Sequence, residues 1–182
     1  MFHPTTERFI ATWRDHRAGR RLPDRSSLSP MELGPLLPQV FMLGREADGE
    51  EVFRLSGGLL SDLHGRDLRG SSFYGLWPKL ERPQIAAALA RSRSGGSPVV
   101  LSVDAQAERG EAIGLELCLA PLIGPTGEAD RTIGLYQPTT TVARLLGAPI
   151  ATLAVRAATL AEEAPAPLPR LRLVVDNTRR VA

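Results

Sequence analysis

The chain has 182 residues, 43% of them hydrophobic and 23% charged, with a formal net charge of +2. This is ordinary globular composition, enough for one domain with a real core and some extension. No apolar run approaches the roughly 20 residues that cross a bilayer, the first residues lack a basic-then-apolar leader, and one cysteine, Cys118, excludes an internal disulfide or a multi-thiolate metal site; the expectation is a cytoplasmic protein.

Residues 5–18 read as an amphipathic helix. Thr5 or Thr6 caps it, Phe9, Ile10, Trp13 and Arg17 share one side, and Gly19 ends it. A polar connector runs on to residue 27. Ser29-Pro30-Met31-Glu32 is a compact helix start: Ser29 accepts from the first turn, Pro30 suits the first helical position, and Glu32 reaches back to complete a capping box. Pro35 and Pro38 keep that helix short. Residues 39–46 form a strand apolar on both faces, with Val40 and Met42 one way and Phe41 and Leu43 the other, as in an interior strand covered on both sides. Asp48-Gly49 supplies a hairpin turn. Residues 51–56 form its partner strand, with Phe53 and Leu55 inward and Arg54 outward.

From 59 to 94 the pattern is helical and interrupted. Leu59, Leu60 and Leu63, then Phe73, Leu76 and Trp77, are separated by Gly65, Gly70 and Pro78. A longer helix, 82–94, places Ile85, Ala88, Leu89 and Ser92 on one face before Gly95-Gly96. Three strands follow: 98–106 with Val99, Leu101 and Val103 aligned, 112–123 with Ile113, Leu115, Leu117 and Leu119, and 131–137 with Ile133 and Leu135. Residues 147–160 are alanine-rich enough for helix, but the alignment of Leu153 with Val155 favours strand. Residues 164–169 read as a stiff Pro-rich linker. Residues 170–175 read as a further strand or a segment that lies on a partner.

This order implies an α+β fold: a five-stranded antiparallel sheet with the helical run across one face and the first strand at its centre. The domain organisation is an N-terminal helix and connector (1–27), a core (28–140) and a C-terminal extension (141–182). The second face of the sheet needs a cover, from the Phe9/Trp13 helix or from a second subunit.

That architecture is the one expected of a PAS domain. Leu-Pro-x-Arg-Ser at 22–26, Ser-Pro-x-Glu-Leu-x-x-Leu-Leu-Pro at 29–38, Phe-Arg-Leu-Ser-Gly at 53–57 and His-Gly-Arg-Asp-Leu-Arg-Gly through Leu-Trp at 64–77 resemble the PAS_5 family. Its members are mostly stand-alone bacterial proteins, largely alphaproteobacterial. Gly65, Arg66, Asp67, Leu68, Gly70 and Trp77 carry the most identifying motif. The resemblance implies a sensory or regulatory role through protein contact, with a signalling kinase as the type of partner, and a homodimer; it implies no ligand and no catalysis.

Residues 65–72, GRDLRGSS, come close to a phosphate loop. Such a loop needs lysine before its hydroxyl residue and a buried strand immediately ahead. Ser71 stands at the lysine position and the preceding strand ends at residue 56, so the reading is a connection in which Gly65 and Gly70 close two short helices and Arg66 and Asp67 bond locally. A nucleotide-binding enzyme built on this stretch is the first rival; a nucleic-acid regulator using the Arg-rich segments 17–25 and 170–180 is the second. Acidic residues interspersed along the chain disfavour nucleic acid. No G-x-S-x-G and only His3, His16 and His64 argue against hydrolase chemistry, and carboxylate pairs such as Glu50/Glu51 read as solvent-facing. A flavin photosensor of this fold needs a cysteine where residues 70–74 have none, and a haem domain needs a histidine on helix 82–94, so both cofactors are disfavoured. The candidate ligand pocket is lined by Phe41, Leu55, Phe73, Trp77, Ile85, Leu89, Leu117 and Leu135, with Ser56, Ser102 or Glu116 as its polar contact; a filled core is the favoured alternative. Phe9, Ile10 and Trp13 are the candidate dimer or partner surface.

Overall fold

The structure, a computed structural model, describes residues 1–161. The expected Pro-rich linker at 164–169 and the expected strand or partner-bound segment at 170–175 lie outside the described residues. Among the described residues four α-helices, α1 (Pro4–Asp15), α2 (Pro30–Leu33), α3 (Gly58–His64) and α4 (Arg82–Gly95), accompany six strands. The strands are β1 (Val40–Arg45), β2 (Glu51–Ser56), β3 (Val99–Ala107), β4 (Ile113–Leu122), β5 (Arg131–Pro138) and β6 (Ile150–Leu160). They form one antiparallel sheet in the order β2-β1-β5-β4-β3-β6.

The expected sheet of five gains β6, which pairs with β3 from Val99↔Leu160 to Ala107↔Ile150. β1 is interior, between β2 and β5, but stands second from the edge; the centre belongs to β5 and β4. Six of the eight β5 residues are buried.

Two apolar layers hold the sheet. Phe41, Leu43 and Phe53 face α3, the Phe73–Leu76 turn and α4 on one side. Val40, Cys118, Ile133 and Leu135 face α1 on the other. α1 is the cover that the sheet's second face required. Phe9, Ile10 and Trp13 are 1%, 3% and 1% exposed, so they are core and not the dimer or partner surface expected of them. Trp13 Nε1 also donates to the Pro121 carbonyl at 2.9 Å, which fixes α1 to β4. The helix starts two residues earlier than a Thr5 cap would set it. His3 caps it, its Nδ1 accepting from the Thr5 amide at 3.2 Å. The capping box at Ser29 forms: Glu32 Oε2 accepts from the Ser29 amide and Ser29 Oγ from the Met31 amide.

Both free edges of the sheet are guarded. The Phe53 amide of β2 donates to the Ser71 carbonyl, and the Phe53 carbonyl accepts from the Gly70 amide. On β6 the Val155 amide donates to Glu81 Oε2 at 2.8 Å. An edge satisfied in this way offers fewer groups for pairing with another chain.

Candidate functional site

Phe73, Trp77, Ile85, Leu89 and Leu117 meet Phe41 on the helical side of the sheet, as the sequence suggests, and each is no more than 2% exposed. The Phe41, Phe53 and Phe73 rings lie 5.6–5.9 Å apart, and Trp77 meets Phe73 edge-on at 5.9 Å. These rings fill the space where a ligand pocket was sought. The Trp77 indole N–H and the Ser56 hydroxyl are buried there without a partner.

Two expected pocket residues are elsewhere. Leu55 is 40% exposed. A bulge shifts the β1–β2 register between Met42 and Leu43, so Leu43 faces Phe53 and Met42 faces Leu55. The extra residue, Arg54, breaks the alternation and sends Leu55 to the other side. Leu135 is buried, but opposite Val40 and Cys118, on the α1 side. Its neighbour Tyr136 takes the pocket-side position opposite Leu117. Glu116 is no pocket contact either: its carboxylate accepts from the His3 amide at 3.0 Å.

Tyr136 and His64 were not singled out together, and they form the polar centre of this side. His64, the last residue of α3, is 7% exposed, and Tyr136 is fully buried. His64 Nε2 lies 3.2 Å from Tyr136 Oη, with the rings edge-on. The imidazole also hydrogen-bonds the Ile150 backbone, at the start of β6. Burial first, and the Arg66 charge second, push the His64 pKa down to about 4. A neutral imidazole has one donor and one acceptor, which matches two such partners. Burial likewise pushes the Tyr136 phenol well above its ordinary range. The pair therefore ties α3, β5 and β6 together through uncharged groups.

The segment that follows His64 is not a phosphate cradle. Gly65 ends α3 in the left-handed conformation (φ 63°) and Gly70 turns the chain at φ 76°. Only the first of the two closes a helix. The amides of Gly65, Arg66, Arg69, Gly70 and Ser71 donate to Asp62 O, Ser61 O, Asp67 Oδ1, Phe53 O and Leu68 O. A phosphate needs such amides to be available. Asp67 pairs with Arg69 at 2.6 Å, not with Arg66, and that bond holds its carboxyl below the usual range. Leu68 is fully buried in the helical-side core. The motif turns the chain and seals the β2 edge.

Glu51, read from sequence as solvent-facing, is 1% exposed. Arg93 of α4 grips it with both terminal nitrogens, at 2.6 and 2.8 Å, and reaches Thr132 Oγ1 at 3.1 Å. Glu50 accepts from Ser72 Oγ at 2.6 Å. The signal available in the sequence was slight: a carboxylate at the first position of a strand, with its guanidinium 42 residues away.

Cys118 is buried under α1 rather than facing the helical layer. Among the described residues no cluster of three His, Cys, Asp or Glu side chains can hold a metal ion, and no helix is long and apolar enough to cross a membrane.

A family model described as a PAS domain, PAS_5, matches residues 1–137. No curated protein matches significantly. Among solved structures the chain is similar to an RNA-binding Light-Oxygen-Voltage receptor, at 20% identity and a TM-score of 0.46. The match covers 65% of this chain and 36% of that one, so it spans about a third of the receptor. With three quarters of its length inside the family model and the α+β architecture described above, the chain belongs to the PAS_5 family of PAS domains, which are sensory or regulatory modules.

Proposed function

We propose that this PAS domain regulates a partner protein, with a change in its core passed to the strand that leaves it. The observation that carries the reading is the His64–Tyr136–Ile150 link. It joins the end of α3, the buried strand β5 and the first residue of β6. A small molecule that altered the packing around Trp77 and Tyr136 would move β6 through this link. A response of this kind requires that the molecule bind one arrangement better than the other.

The output is protein contact rather than catalysis, and the partner is of the signalling-kinase type, met as a complex or through a homodimer in the cytoplasm. The Val142–Leu145 turn before β6 supports a contact there. Val142 is 40% exposed, and the following Leu146 is 78% exposed with φ 52°. A non-glycine residue held in the left-handed region costs about 1–3 kcal/mol, and Leu146 presents its side chain outward from that position.

Native mass spectrometry of the protein purified from its own source tests the reading. The expected spectrum holds a dimer or a partner complex, and Tyr136→Phe changes its abundance. A lone monomer in both wild type and variant overturns it.

A further inference from the structure

The β1–β2 hairpin, the Phe73–Leu76 turn and α4 enclose a cleft of about 480 Å³. It lies outside the packed core and takes no part in the His64–Tyr136 link. Its walls come from Arg45, Glu51, Tyr74 and Arg93, and its floor from Ala86, Ala87 and Ala90. A surface helix ordinarily carries charged or long polar side chains on such a face. Here three methyl groups leave room above α4.

Two guanidiniums, Arg45 and Arg93, and two carboxylates, Glu50 and Glu51, surround Tyr74, and only one pair of them is joined directly. Glu51 is neutralised by Arg93, and the nearby Glu50 carboxylate is held by Ser72. Among the described residues Arg45 has no carboxylate partner, and its guanidinium is exposed on the cleft wall. Tyr74, on the same wall, is half-buried, and burial and the Glu51 charge raise its pKa, so it remains a donor at neutral pH.

We propose that this cleft binds a small organic monocarboxylate. Its carboxylate sits against Arg45, with the Tyr74 hydroxyl as a further donor, and its apolar body lies on Ala86, Ala87 and Ala90. A guanidinium without a direct ion pair gives a monoanion a charge-assisted bond, whereas a phosphate dianion would bring a second negative charge up to Glu50 and Glu51. An apolar floor rewards a ligand with an apolar body and gives nothing to an inorganic anion.

Benzoate is the probe, followed by ¹⁵N-resolved NMR of the whole chain. Saturable shifts are expected at Arg45, Tyr74 and the α4 alanines, and not with benzamide, its uncharged counterpart, or with inorganic phosphate. Arg45→Gln removes a charge-assisted bond and weakens benzoate binding by at least about tenfold. Ala90→Glu, at an exposed position that leaves the fold intact, abolishes it. Equal shifts with benzamide, or an unchanged affinity in Arg45→Gln, overturn the proposal, as does the absence of saturable shifts in the wild type.

Discussion

Gly134 stands opposite Phe41 in the β1–β5 ladder, and the Phe41 ring lies directly over it. A Cβ at residue 134 would come within 2.1 Å of Phe41 Cζ and 2.5 Å of Cε1 and Cε2. Carbon atoms rest about 3.5–4.0 Å apart, so in Gly134→Ala the ring must retreat by roughly 1.5 Å. It has little space to do so, because Phe53 and Phe73 flank it with centroids 5.6 and 5.9 Å away. Overpacking of this type costs about 1–3 kcal/mol, and a rigid ring between two others belongs in the upper half. Replacing a strand glycine returns about 0.5–1 kcal/mol of backbone entropy. The steric term wins, with a net loss of about 1–2.5 kcal/mol, or about 2–10 °C in Tm for a domain of this size. Urea unfolding followed by the buried Trp13 and Trp77 fluorescence measures it. Phe41→Leu removes the obstructing ring, so the double variant should be more stable than the sum of the two losses by at least about 1 kcal/mol. A neutral Gly134→Ala, or strictly additive losses, would refute the argument.

Arg93→Leu leaves the Glu51 carboxylate buried and unpaired, which costs about 3–5 kcal/mol; adding Glu51→Gln should recover a large part of it in the same urea titration. The His64 pKa lies near 4, below its unfolded value near 6.5, because burial disfavours the charged ring. The unfolded chain therefore binds the proton first, so stability is full above about pH 6.5 and falls by about 3 kcal/mol as the pH drops to 4. The difference between wild-type and His64→Leu stability-against-pH curves isolates this limb, and parallel curves would remove His64 from the account. Cys118 is fully buried and burial holds its thiol well above its ordinary range, so a thiol reagent should label it only at the rate of unfolding. Rapid native labelling would contradict that burial.

The helices and strands were legible because their apolar spacing is regular. Ile85, Ala88, Leu89 and Ser92 are the buried face of α4, and Leu101, Val103, Ile113, Leu115 and Leu117 line the helical side of the sheet as their alternation suggests. The polar site was much less legible. Glu51 with Arg93, and His64 with Tyr136, are joined across 42 and 72 residues, and no local pattern reports a partner at that separation. The sequence places His64 off helix 82–94 and shows nothing that would meet it; in the structure the capping Gly65 packs under Pro149, one residue ahead of β6.

The error at Leu55 has a different origin. Alternation assumes one residue per rung, and the β1–β2 ladder carries one residue too many. The surplus residue, Arg54, lies across Gly44: a Cβ there would come within 2.8 Å of Arg54 Nε. Gly134 records the same kind of event under Phe41. A glycine inside a strand marks a bulge or a close approach, and both glycines were readable as such. Each stands beside the residue whose face the alternation rule alone assigns: Gly44 under the bulge that sends Leu55 outward, Gly134 between Ile133 and Leu135 on the α1 side, with the aromatic layer taking the space its missing side chain leaves.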